Sequence, residues 1–336
     1  MSAIVTRPSG VATAPHRGAR AARAPFVVLV VGPVAALVAI LVSLPDALPQ
    51  APGTTVPTWI LWVALVALAL GVPHGAVDQL ALPTGARPRA GEALAYLAMA
   101  AGAAVLVVVT PLPAFLAVVA MTVWHFGTGD VEASADLRGE PADTPVWNQL
   151  HALAAGCAPV LLPLTSSAAA ATLALLEPAL APLGQLALAA TIRGAVVVLV
   201  MVVVARLLHR GQRVRALELV LLMALGLLAS PLLAFAAYFA CWHSLRHTAR
   251  LAQDQDGGLT SAALWHVVRA GLPALAVTAL AVGAAVLVHA SVTGGTAVLG
   301  SWLWLGLAAV WGLTVPHMLV VHRFDAGRRA RRNATG

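Results

Sequence analysis

The sequence predicts an all-α protein, a polytopic bundle of about eight to ten transmembrane helices, and three observations predict it. Hydrophobic residues make up 60% of the 336 and charged residues only 10%, where an ordinary soluble domain carries about 25% charged. Mean hydropathy is +0.89. The apolar residues gather into runs close to the ~20 that a helix needs to cross a bilayer, and the charges lie between the runs. Length alone would suggest two soluble domains of roughly 150 residues each. The shortage of polar side chains overrules that, because a soluble protein of this size has a large surface to cover. It also disfavours disordered chains and nucleic-acid partners.

Ten segments read as spans, at about 26–45, 57–77, 91–110, 112–127, 148–164, 187–208, 214–229, 231–248, 262–290 and 299–321. The first follows a basic stretch, residues 1–25. Its apolar run of about 20 exceeds the ~7–15 of a secretory signal core, so it reads as a retained helix behind a flexible tail. Segments 112–127, 148–164 and 214–229 are short. The stretch 165–186 holds Glu177, Pro178 and Pro182 and reads as re-entrant or interfacial, which leaves eight or nine spans open.

All twenty basic residues are Arg, and the net charge is +7. Arg7, Arg17, Arg20 and Arg23 precede the first segment; Arg87 and Arg89 follow the second, and Arg138 the fourth. Arg206 to Arg215 surround the end of the sixth, Arg246 and Arg250 end the eighth, and Arg323 to Arg332 follow the tenth. The intervening loops lack Arg. Positive-inside bias therefore predicts both termini in the cytoplasm, in the plasma membrane. Arg193 fits poorly, near the outer start of the sixth segment. Cys157 and Cys241 offer neither a disulfide framework nor a CxxC metal site.

Polar residues at membrane depth are costly and mark function by default. Four constellations stand out: Gly71-Val72-Pro73-His74-Gly75-Ala76-Val77-Asp78, Trp124-His125-Phe126-Gly127-Thr128-Gly129-Asp130, Tyr238-Phe239-Ala240-Cys241-Trp242-His243-Ser244-Leu245-Arg246-His247, and Thr314-Val315-Pro316-His317-Met318. His243 and His247 lie one helical turn apart and can ligate one metal, although the pair alone is equally compatible with polar residues at a helix end. By the Arg-based orientation all five histidines fall at cytoplasmic ends of even-numbered spans, where they can converge. Imidazoles suit Fe, Cu, Zn or Ni. Asp78 and Asp130 are placed to accept the far N–H of a ligating imidazole, or to stand as helix-end acids. Arg246 can pair with one of them. Gly71, Gly75, Gly127 and Gly129 can let helices or a ligand approach closely, or serve as ordinary packing positions. His151, His209 and His266 read as interfacial, His289 as an outer-side histidine, and His16 and His322 as tail residues.

These residues leave three further readings: a metal or proton-coupled transporter, a di-iron desaturase or hydroxylase, and a non-catalytic assembly factor whose histidines are structural. Against the first stands the absence of an internal repeat. Against the second, only one HxxxH occurs.

The motifs G-V-P-H-G-A-V-D, W-H-F-G-T-G-D and Y-F-A-C-W-H-S-L-R-H, with the late P-H-M, resemble the Brp/Blh family of membrane-bound β-carotene 15,15′-dioxygenases over roughly residues 57–322. The resemblance implies oxygen-dependent cleavage of β-carotene at its central double bond to two retinals. It also implies a non-haem Fe(2+) held by His74, His125, His243 and His247. His317, Asp78 and Asp130 are expected around that set, outside the ligands. The chain then divides into a tail at 1–25, a transmembrane catalytic domain at 26–322 and an Arg-rich cytoplasmic tail at 323–336. Trp124, Phe126, Tyr238, Phe239 and Trp242 adjoin the ligands and are candidates to line a channel for the polyene, which reaches the iron from the lipid bilayer. β-Carotene and O2 are the expected partners, with a functional link to a retinal-binding rhodopsin.

Overall fold

The computed structural model describes residues 26–44, 56–76, 90–139, 143–185, 188–256, 259–293 and 299–335. Among these residues every regular element is a helix. In chain order they are α1 (Phe26–Ser43), α2 (Thr58–Ala76), α3 (Ala90–Val109), α4 (Pro111–Arg138), α5 (Pro145–Leu164) and α6 (Ala169–Leu176). A 3-10 helix (Pro178–Gln185) follows, then α7 (Ala189–His209), α8 (Arg213–Leu228) and α9 (Pro231–Ala236). A π-helix (Ala237–Ser244) leads into α10 (Leu245–Asp256), α11 (Ser261–Thr293) and α12 (Leu299–Thr335). The tail at residues 1–25 lies outside the described residues.

Each of the ten apolar segments contains a helix. Among the described residues six helices are long and apolar enough to cross a membrane: α2, α3, α4, α7, α11 and α12. α5 and α6 make a seventh if they are one span, broken by an 86° bend. The length test admits fewer spans than the apolar runs suggested, because the run at 231–248 is divided among three helical pieces and α8 has only 16 residues.

Proline sets several starts. Thr110, Thr144 and Ser230 each precede the proline that opens α4, α5 and α9. The ring disfavours helical geometry in the residue before it and itself needs no N–H partner in the first turn. Gly139 ends α4 with φ at 65° and Gly211 turns the chain from α7 into α8 with φ at 73°, both left-handed conformations that glycine adopts without strain. The α5–α6 break falls in the stretch that read as re-entrant. α5 carries Pro159 and Pro163, and α7 fills the gap: Arg193 donates to the hydroxyl and carbonyl of Thr165 just past the end of α5. The arginine that fitted the charge rule poorly is thus consumed by a helix end.

Backbones approach closely where glycine permits it. On α4 and α5 the contact is reciprocal. A Cβ on Gly127 would fall 1.7 Å from the Ala152 carbonyl oxygen, and one on Gly156 would fall 1.9 Å from that of Val123. Small residues take this role in membrane bundles because lipid supplies no hydrophobic drive to press helices together, and close van der Waals contact must do so instead. α3 lies along α12, and α2 packs on α11 and α12. The periphery is apolar and open: only 11% of the apolar window of α3, and of α11, is buried.

Candidate metal centre

Five helical pieces deliver five imidazoles to one place. His74 sits in the last turn of α2, His125 midway along α4, His243 near the end of the π-helix, His247 at the start of α10, and His317 on α12 just after Pro316. All are buried. Ring centroids separate His74 from His243 by 5.4 Å, from His247 by 5.6 Å and from His317 by 5.3 Å. His125 stands 5.0 Å from His243 and 5.1 Å from His317, and His247 stands 5.2 Å from His317. The expected HxxxH pair is nearly parallel, 6.4 Å apart.

Nitrogen atoms of His74, His125 and His243 all lie within 4.8 Å of one another. That approaches the roughly 3–4 Å spacing set by metal–nitrogen bonds of about 2.1 Å. The donors fit a metal on a second ground. Nε2 of His125 and Nε2 of His243 are buried without a hydrogen-bond partner. An orphaned buried polar group costs about 1–3 kcal/mol, which a metal bond would offset. The centre therefore suits a borderline metal with imidazole ligands. His317, expected outside the ligand set, stands as close to its neighbours as the other four.

Local sequence explains the convergence. Gly71 leaves room for the Phe239 ring, since a Cβ there would lie 2.0 Å from it. Gly129 does the same for His243, at 3.1 Å. Nδ1 of His74 donates to the Gly71 carbonyl and lies 3.1 Å from the Ser244 hydroxyl.

Of the two acids, Asp130 lies among the described residues. Asp130 accepts from the Tyr238 hydroxyl at 3.0 Å and faces Arg246 at 3.9 Å, the pairing the sequence allowed, so it braces Tyr238 instead of a histidine. Asp78 lies outside the described residues. Arg246 pairs with Glu218 of α8 at 2.5 Å and stacks on Trp242, and Arg138 of α4 also binds Glu218. A second buried network ties the same helices further along. Arg250 of α10 holds Asp136 of α4 at 2.9 Å and Asp325 of α12, Arg328 reaches Asp136 at 2.9 Å, and Arg329 reaches Glu132 at 2.8 Å. α4 and α12 thus carry histidine first and cross-linking acids and arginines further along, while α10 carries Arg246 and Arg250 within one turn of His247. Residues 323–335 continue α12 and supply part of the clamp.

Of the aromatic candidates, Phe126, Tyr238 and Phe239 face cavities. Phe126 and Tyr238 border an apolar cavity of about 110 Å³ that also touches Phe115, Leu173, Phe235 and Trp311. Phe126 lies 4.4 Å from His243, ring to ring. Phe239 borders a smaller hollow of about 20 Å³ beside His74, Thr314 and His317. Trp124 is 45% exposed and points outward, whereas Trp242 is 1% exposed behind the site, against Gly32. Neither lines these two cavities. His151 is buried and accepts from Arg215 at 3.0 Å, a helix-packing role. His209, His266, His289 and His322 are exposed.

Sequence reasoning missed Ser244, Glu218 and Arg250. Glu218 did carry a signal, as the only acid in the apolar segment 214–229. Ser244 lay unremarked inside the H-S-L-R-H motif.

Comparison with known proteins bears on this geometry. A family model described as beta-carotene 15,15'-dioxygenase matches residues 64–325, close to the motif-bearing stretch. A curated protein of Halobacterium salinarum, "Probable beta-carotene 15,15'-dioxygenase Blh", is 31% identical over 312 residues, covering 83% of this chain and 88% of that protein. No solved structure matches the chain.

Proposed function

The chain belongs to the β-carotene 15,15′-dioxygenase family, and on that premise we propose that it splits the central double bond of β-carotene with one O2, yielding two retinals. We assign the metal as Fe(II), and its ligands as His74, His125, His243 and His247. The observation that carries this reading is the buried gathering of imidazoles, with a nitrogen triad inside 4.8 Å, against an apolar cavity. Family membership favours this enzyme over the transporter, desaturase and assembly-factor readings.

When bound, iron supplies the oxygen chemistry that no side chain here provides. The protein's task is to place and shelter. The polyene leaves a solvent as apolar as the cavity, so hydrophobic transfer contributes little and recognition falls to shape and dispersion contacts. Phe126 and Tyr238 form the wall between cavity and histidines, which positions one arm of the chain beside the metal. Asp130 holds the Tyr238 hydroxyl and turns its ring face to the cavity. No nucleophile or acid–base pair is needed. The protein sits in the plasma membrane with cytoplasmic termini, and its product links it functionally to a retinal-binding rhodopsin.

Expression in β-carotene-producing cells tests the reading. Wild type should bleach the cells and yield retinal on chromatography. His243→Ala should insert normally, carry no stoichiometric iron and leave the carotene intact. Retinal output from His243→Ala equal to wild type would overturn the ligand assignment.

A further inference from the structure

The π-helix places Ser244 where no role has been assigned to it. The Ser244 hydroxyl donates to the carbonyl of Phe239, five residues back, at 2.6 Å. Having given its proton there, the oxygen has only lone pairs for its second neighbour, Nδ1 of His74, at 3.1 Å. The other neighbour of Nδ1 is the Gly71 carbonyl, which can only accept. Both contacts therefore require a proton on Nδ1, and a neutral imidazole has one such proton. Its Nε2 is left as the lone pair. Ser244 is 3% exposed and His74 is 7% exposed, so water does not compete freely for either group. The ring is also fixed from the side by Phe239, edge to face at 5.5 Å.

We propose that Ser244 is a positioning residue, whose hydroxyl, relayed to the Phe239 carbonyl, holds His74 in the Nδ1–H tautomer and presents Nε2 as its metal-binding nitrogen. The role follows a general pattern, in which a ligating imidazole gives its far N–H to a fixed acceptor and loses about 10–100-fold in metal affinity without it. Here the acceptor comes from the residue next to another histidine of the centre. Orientation of the α2 ligand is thereby tied to the π-helix. The proposal rests on the metal reading above.

Two measurements test it, neither of them turnover. In metal-free wild type with 15N-labelled histidine, NMR should show the His74 ring as the Nδ1–H tautomer. An Nε2–H ring overturns the proposal whatever metal is used. Titration with Co(II), whose visible spectrum reports its ligand geometry, should show Ser244→Ala binding about tenfold more weakly with an altered spectrum. The effect belongs at the low end of the range because the Gly71 carbonyl remains. Ser244→Thr, which keeps the hydroxyl, should restore affinity and spectrum. Unchanged Co(II) affinity and spectrum in Ser244→Ala overturn the role of Ser244 while leaving the metal centre standing. A wild type that binds no Co(II) overturns the metal reading itself.

Discussion

The inner quartet of α2, α4, the π-helix with α10, and α12 differs from the outer pair α3 and α11 in a way that reverses the usual sense of burial. In the quartet the buried positions include histidines, Asp130, Arg246, Arg250 and Asp325. On α3 and α11 the apolar residues face outward: Leu94, Leu280 and Val292 are 71%, 75% and 80% exposed. In water such exposure would mark a partner surface. In lipid it costs nothing, and what must be enclosed is the polar machinery. Burial here sorts residues by charge and chemistry more than by hydrophobicity.

The sharpest way to break this contrast is to wedge the inner helices apart. Gly127→Ala pushes a methyl group against the backbone of α5, which cannot yield as a side chain would. Its cost should exceed the roughly 1–3 kcal/mol usual for overpacking, read as a large fall in the thermal midpoint in detergent and as loss of bound metal. Gly102→Ala on α3 meets nothing within 4 Å and should leave both unchanged. Equal effects at the two glycines would erase the distinction between inner and outer helices.

Next in size is the charge clamp. Arg250→Ala leaves Asp136 and Asp325 without their shared buried partner, and losing one member of a buried pair costs about 3–5 kcal/mol. Chemical denaturation should register that loss. Arg328 still reaches Asp136, which places the effect toward the lower figure.

How much of this was legible in the sequence varies with the range of the interaction. The helices and the histidine motifs were readable because both are local, as apolar runs and short polar strings. The stretch after α5 reads as re-entrant or interfacial from Glu177, Pro178 and Pro182. The ends of α4 and α12 were not legible. Both run on past the apolar stretch because their polar turns find one another: Arg138 meets Glu218, and Arg328 meets Asp136 and Asp254. Such pairing depends on partners 74 to 192 positions away and leaves no periodic trace. Asp130 reads in the sequence as an acceptor for an imidazole or as a helix-end acid paired with Arg246; it does face Arg246, and its hydrogen bond comes from Tyr238. The π-helix was invisible, since the spacing of His243 and His247 suits an ordinary α-turn equally well.

The smallest expected effect lies outside the membrane. A hydrogen bond from Arg206 holds the Asp143 carboxyl at about 2, below its ordinary 3.8. The stabilisation is complete above the ordinary value and fades as pH falls through about 2. Arg206→Ala should flatten the pH dependence of the thermal midpoint in that window only, with no change in metal content at neutral pH.

The π-helix also bears on how such a chain can change. Its eight residues, Ala237–Ser244, are wound more loosely than the α-helices on either side. Winding the same eight residues as a regular α-helix, at the tighter ~100° per residue, would swing everything beyond around the axis. Tyr238 and Phe239 would keep their place at the cavities while His247, Arg246 and Arg250 turned away from theirs. The register of that one turn joins the cavity wall to the charge clamp, and a return to regular α-winding would part them.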